Sequence, residues 1–193
     1  MNERAKQRTR LLWAALVLGV LALHAAGKLE HGLLGEMLWA CHVASFLVGI
    51  GLLTRQTWLV AVGTLFHLAV GVPAYVLDVI VLRKTTFTSV LVHAVPPVAG
   101  LLALRHEAPW PRWTPIAAGS LYIALIPISR WLTEPALNVN LAFTPWLPLA
   151  IWSGSPWLTW LGNVAGMALV LPVFDRWLRR WSAPPRAGGA AHG

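Results

Sequence analysis

Six times between residues 11 and 178 the chain runs apolar for about 20 residues, the length that carries an α-helix across a hydrocarbon core of about 30 Å. The runs are 11–27, 33–53, 57–82, 87–104, 113–131 and 157–178. Backbone polar groups inside lipid must be satisfied within their own segment, and nothing here alternates like a barrel strand, so each run is expected to be a helix. Composition agrees: of 193 residues 57% are hydrophobic and 11% charged, with mean hydropathy +0.63, more apolar than a soluble domain of this size can hide. The first run, preceded by basic residues, has a secretory signal as its alternative. Lys28, Glu30 and His31 follow it without a small-x-small cleavage pattern, so it is read as a helix.

The net charge of +8 does not point to nucleic acid once the basic residues are placed. With the N-terminus cytoplasmic and six crossings, 11 of the 15 Lys and Arg fall on cytoplasmic ends: Arg4, Lys6, Arg8, Arg10, Arg55, Arg105, Arg112, Arg176, Arg179, Arg180 and Arg186. Lys28, Arg83, Lys84 and Arg130 fall outside. That asymmetry is the positive-inside bias, and it places both termini in the cytoplasm of a multi-pass cell-membrane protein. Many of the 12 Trp, including Trp13, Trp58, Trp110, Trp113, Trp131, Trp157, Trp177 and Trp181, lie near run ends, where an amphipathic ring suits the interface. One cysteine excludes an intramolecular disulfide and a cysteine-rich metal site.

The expected fold class is therefore all-α, a polytopic bundle of six transmembrane helices over residues 1–181, with a disordered tail at 182–193. Residues 132–156 are too long for a tight turn and too proline-broken for a clean span, which predicts an outer re-entrant or interfacial segment. A seventh, irregular crossing is the alternative.

An ionisable group in lipid costs a few kcal/mol, so each needs a partner, a cavity or a function. His24, Glu36, His42, His67, Asp78 and His93 are the candidates, with Cys41 as the soft member. At about 1.5 Å per residue, Glu36 lies roughly one turn into a helix entering from outside, Cys41 roughly 12 Å deep and His93 about 10 Å deep. His24 and Asp78 sit near the outer ends of their helices, so most of the set converges on the outer half. Helical spacing puts Thr86, Ser89, His93 and Gly100 on one stripe, Cys41, Ser45 and Gly49 on another, and His67, Gly71, Ala74 and Asp78 on a third. His42 points about 100° from Cys41, so the adjacent histidine is not automatically its base.

Each residue also has a plain packing reading. Small residues let membrane helices approach closely, which fits Ser45, Gly49, Gly71, Gly162 and Gly166, and a lone Cys is commonly filler. The cluster carries more weight than its members. Acyl transfer or ester hydrolysis on a lipid would use Cys41 as nucleophile and His93 as base, with Ser45, Ser89, Thr86, Asn138 or Asn140 as oxyanion donors. A haem or transition-metal site using His24, His42, His67 and His93 is the second hypothesis, although no i, i+4 histidine pair or CxxCH is present. Small-solute or proton transport through Asp78, Glu36 and His67 is the third, without a broken-helix repeat to support it.

Four stretches carry a family likeness: Cys41 and His42, LVH at 91–93, NVNLAFTP at 138–145 and SGSPWLTWL at 153–161. In their order the chain resembles the YwaF-like bacterial integral membrane proteins, related to vertebrate transmembrane protein 164, a lipid acyltransferase. The likeness spans about residues 33–178. It implies a cysteine nucleophile and a distant histidine, at Cys41 and His93 here, and a kinship with the androgen-induced-gene hydrolases, which use threonine. Val139 departs from an expected aromatic residue, and Cys41 has fewer polar neighbours than the pattern. Many bacterial members have no assigned activity.

The sequence reading is thus a thiol-dependent lipid acyltransferase or lipid ester hydrolase. Cys41 and His93 are catalytic, and His42, Ser45, Ser89, Asn138 and Asn140 contact or orient the substrate. No metal or other cofactor is expected. Membrane lipids are the expected partners, nucleic acid is not, and a homo-oligomer is left open.

Overall fold

The computed structural model describes residues 2–83, 85–105, 110–144 and 155–183, and among these it is helical throughout, with no strand. Helix α1 (Glu3–Glu30) starts at Asn2, whose side chain accepts from Ala5 N at 2.8 Å, and extends beyond the apolar run at both ends. The run at 33–53 is not one helix. A 3-10 turn (Leu34–Leu38) leads to Trp39, with ψ 133°, and only then does α2 (Ala40–Thr54) begin. The cause is tertiary. Asn140 reaches into the gap, accepting from Ala40 N and donating to Leu38 O at 2.8 Å each, so one side chain does what continuous helix bonds would have done. Cys41 therefore lies in the first turn of α2, rather than about two turns into a continuous helix as expected.

The run at 57–82 is one rod with a fault in it: α3 (Thr57–Phe66), a π-helical turn (His67–Gly71) and α4 (Val72–Leu82). Pro73 explains the fault. It has no N–H to offer Ala69 O and its ring crowds that carbonyl, and the turn before it widens so that Val72 N bonds His67 O. Helices α5 (Phe87–Leu104) and α6 (Thr114–Leu132) carry internal prolines, as does α7 (Pro156–Ser182). Between α6 and α7 the chain makes two 3-10 turns, Pro135–Leu137 and Val139–Leu141. The remainder of the expected re-entrant segment, 145–154, and most of the expected disordered tail, 184–193, lie outside the described residues.

Helix α3 is the axis of the bundle. It packs on α2, α5, α6 and α7, and two glycines permit the approach. A Cβ on Gly63 would fall 2.5 Å from Ala44 O, and one on Gly100 would fall 1.8 Å from Thr64 Oγ1. One core joins α2, α3, α6 and α7 through Ala44, Leu65, Phe66, Tyr122 and Leu171. A second joins α1, α2, α3 and α5 through Val17, Val48, Val60 and Ala99, closed by Trp110 and Leu178. Gly49 packs against Val17 and Leu18 as expected, whereas Gly162 and Gly166 have no close neighbour among the described residues.

The outside of the bundle is as apolar as its inside. Leu12, Ile80, Phe87, Ile116, Trp131 and Leu169 are exposed, Trp131 by 85%, far beyond the isolated apolar patches of a soluble monomer. Four helical segments are long and apolar enough to cross a membrane: Glu3–Glu30, Thr57–Val81, Phe87–Leu104 and Thr114–Leu132. Helix α2, at 15 residues, is apolar but shorter. Lys28, Ala40, Phe87 and Leu132 mark one end of the bundle, and Arg10, Arg55, Trp110 and Arg179 mark the other.

Candidate functional site

Four imidazoles from four segments meet toward the Lys28 end: His24 of α1, His42 of α2, His67 of the π turn and His93 of α5, all buried. Their ring centroids step 4.8 Å from His24 to His42, 6.1 Å from His42 to His93 and 6.3 Å from His93 to His67. Tyr75 of α4 stacks flat on His93 at 4.0 Å. Its hydroxyl is held by a hydrogen bond to Thr85. Beside the array, Lys28 pairs with Glu36, so neither charge is left to the site.

Backbone carbonyls fix the proton on two rings. His42 Nδ1 lies 3.0 Å from Glu36 O, and His93 Nδ1 lies 2.8 Å from Ser89 O. A carbonyl only accepts, so in the neutral ring each Nδ1 is the donor and each Nε2 keeps its lone pair. His24 Nδ1 meets the hydroxyl of Thr88 at 3.1 Å, which is compatible with either tautomer. His67 differs from the others. Its Nε2 lies 2.9 Å from Ser45 Oγ, while its Nδ1 is buried without a hydrogen-bond partner among the described residues.

Cys41 borders this array without joining it. Cys41 as a whole is half-buried, and among the described residues no hydrogen bond links Sγ to His93 or to any other ring. The sequence pairing of Cys41 with His93 is therefore not a closed dyad here. Cys41 instead shares a small space with His67: the point where a Cβ on Gly71 would sit is 3.4 Å from Cys41 Cβ and 3.2 Å from His67 Nδ1. Ser45, one turn along α2, bonds Cys41 O at 2.9 Å as well as His67 Nε2.

The expected oxyanion donors take other parts. Both amide hydrogens of Asn140 are committed, to Leu38 O at 2.8 Å and Ser129 Oγ at 2.9 Å, and its backbone oxygen accepts from Tyr122 at 3.2 Å. Asn140 orients the start of α2, and no donor of its amide is left for a substrate. Asn138 folds its own loop: Oδ1 accepts from Phe143 N and Thr144 N, and Nδ2 donates to Thr144 O. Both asparagines have left-handed backbones, with φ 43° and 56°, a conformation their short side chains tolerate. Ser89 contributes its carbonyl to His93. Its hydroxyl has no partner among the described residues.

Sequence reasoning missed a second polar knot, at the Arg10 end. Trp110 is buried and donates Nε1–H to Asp175 at 3.0 Å, so it is no interface residue. Arg179 grips the other carboxylate oxygen at 2.8 Å and donates to Trp110 O and Pro111 O at 2.9 and 2.7 Å. The i, i+4 spacing of Asp175 and Arg179 was the available signal. Tyr75 gave none, since its stacking depends on the π turn.

As ligands the four histidines are close but not convergent: among the described residues no three His, Cys, Asp or Glu side chains are arranged to hold a metal ion. No family model, curated protein or solved structure matches the chain.

Proposed function

We propose that this chain is an integral membrane protein that performs thiol-dependent acyl transfer or ester hydrolysis on a lipid, with Cys41 as nucleophile and His93 as general base. In the proposed topology all six helices cross, both termini are cytoplasmic, and the histidine array lies in the outer leaflet. The observation that carries the reading is the set of ring nitrogens left without a hydrogen-bond partner among the described residues, close to the free cysteine Cys41. His42 and His93 each hold an Nε2 lone pair in place through a backbone carbonyl, which is how a base is kept ready for a proton. The site lies among helices whose outer faces are apolar, so an acyl chain can remain in lipid while its ester enters. Negative charge developing on Sγ would face the N-terminal peptide N–H groups of α2.

The test is the rate at which a lipophilic thiol-reactive probe labels Cys41 in detergent and in lipid vesicles, in wild type, Cys41→Ser and His93→Ala. Wild type is expected to label at least tenfold faster than an unactivated buried thiol, with the signal absent from Cys41→Ser, and His93→Ala is expected to lower turnover of a lipid ester. Labelling no faster than such a thiol, with no effect of His93→Ala on turnover, contradicts the reading.

A further inference from the structure

Resting on that reading, we infer that His67, held by Ser45, is the catalytic residue that takes the proton from the Cys41 thiol. His93 then serves the acceptor hydroxyl or water that later attacks the acyl group.

The argument begins with a single hydroxyl proton. Ser45 Oγ has three neighbours, Cys41 O at 2.9 Å, Val92 O at 3.4 Å and His67 Nε2 at 2.9 Å, and one hydrogen to give. If Ser45 donated to Nε2, the neutral ring would carry its proton on Nδ1, where no acceptor exists among the described residues. An orphaned buried N–H is rarer in folded proteins than an under-used acceptor. The arrangement that leaves no proton stranded has Ser45 donating to Cys41 O and His67 donating Nε2–H to Ser45 Oγ. Nδ1 is then a bare lone pair inside a wholly buried ring.

Cys41 is placed to supply a proton to that lone pair. The space left by the missing side chain of Gly71 is bounded by His67 Nδ1 on one side and Cys41 Cβ on the other. Rotation of the thiol about χ1 is the motion that brings Sγ toward Nδ1, and a hydrogen bond that closes only with substrate present is ordinary for a catalytic base. The π turn has a part in this. His67 and Gly71 stand four residues apart on one face of the rod, and the π turn that spans them keeps the buried ring beside a residue without a side chain. Ser45 is a positioning residue: it fixes the tautomer and touches no substrate.

The step balances within the chain and the ester. The thiol proton moves to His67 Nδ1, Sγ adds to the ester carbonyl, and the C–O bond to the alcohol breaks as the leaving oxygen takes that proton back. The products are a thioester on Cys41 and a free alcohol, with His67 neutral again.

The experiment is a pre-steady-state burst with the p-nitrophenyl ester of a long-chain fatty acid and the full chain reconstituted in phosphatidylcholine vesicles. Wild type is expected to release about one p-nitrophenolate per chain, at a rate that levels off as pH rises. His67→Gln, whose amide can still donate to Ser45 but offers no basic nitrogen, is expected to slow the burst about 100-fold. Its rate should climb with pH without levelling, since hydroxide must then remove the proton. Ser45→Ala should slow the burst, and Ser45→Thr, which restores the hydroxyl, should recover it. A merely structural role would not move the pH profile. Should His67→Gln fail to fold, as judged by its melting and elution, Gly71→Ala is the second variant. Its methyl occupies the shared space, and a burst slowed at unchanged melting is the expected result. A wild-type burst that persists with the same rate and pH profile in His67→Gln or Gly71→Ala overturns the assignment to His67 alone. Absence of a burst from wild type overturns the Cys41 reading itself.

Discussion

Asp175 and His67 are both buried polar residues in one bundle, and they differ in what is left over. Around Asp175 both carboxylate oxygens accept, from Trp110 and Arg179, and Arg179 closes the remaining space by donating to two backbone carbonyls. Nothing polar there is available to a ligand. Around His67 the accounting stays open: Nδ1 has no partner, the Nε2 atoms of His42 and His93 keep their lone pairs, and a glycine leaves room beside the thiol. A buried group without a partner costs about 1–3 kcal/mol. On the proposed function, the completed knot serves stability and the open one serves chemistry.

The comparison can be broken most severely at Cys41. Cys41→Ala is expected to lower lipid ester turnover by at least about 1000-fold, on the order of 4 kcal/mol in the barrier. Its melting in detergent should change little, because among the described residues the thiol is bonded to no other side chain. Next in size is Asn140→Ala, which strands Ala40 N, Leu38 O and Ser129 Oγ. Denaturant titration should show a loss of about 3 kcal/mol, with thiol labelling impaired as a consequence of the displaced α2 start. Arg179→Met keeps bulk but leaves Asp175 half-paired. With Arg179 partly exposed, the expected loss is about 2 kcal/mol, and thiol labelling should keep its wild-type rate. The smallest effect belongs to Gly162→Leu, where the structure has open space. Stability of the isolated chain should move by less than about 0.5 kcal/mol. A change in oligomeric state, read by light scattering, would instead place a second copy on that face.

Much of this was legible before any coordinates. The apolar runs announce the helices because lipid allows few alternatives, and each of the six expected runs begins or ends within a few residues of a helix boundary. The convergence of His24, His42, His67 and His93 was readable from their positions along alternating helices. What could not be read depends on contacts between distant parts of the chain. The late start of α2 follows from Asn140, a hundred residues away. The asparagines invited an oxyanion role because their backbone duties do not show in their spacing. His67 and Gly71 were visible as members of one stripe, but that this stripe faces Cys41 depends on how α2 packs against the rod, which the spacing within either helix does not give. Ser45 had been read as packing or orientation, and its bond to His67 Nε2 gives orientation a definite object.

The most direct test of a reactive site is to look for the covalent intermediate. The full chain, reconstituted with phospholipid, is denatured in acid during turnover and its Cys41 peptide weighed by mass spectrometry, with and without hydroxylamine. The expected result is a peptide heavier by one fatty acyl group, which hydroxylamine removes and Cys41→Ala never forms. A Cys41 peptide that remains unmodified under every condition in which lipid ester is consumed would contradict the central claim and return Cys41 to packing.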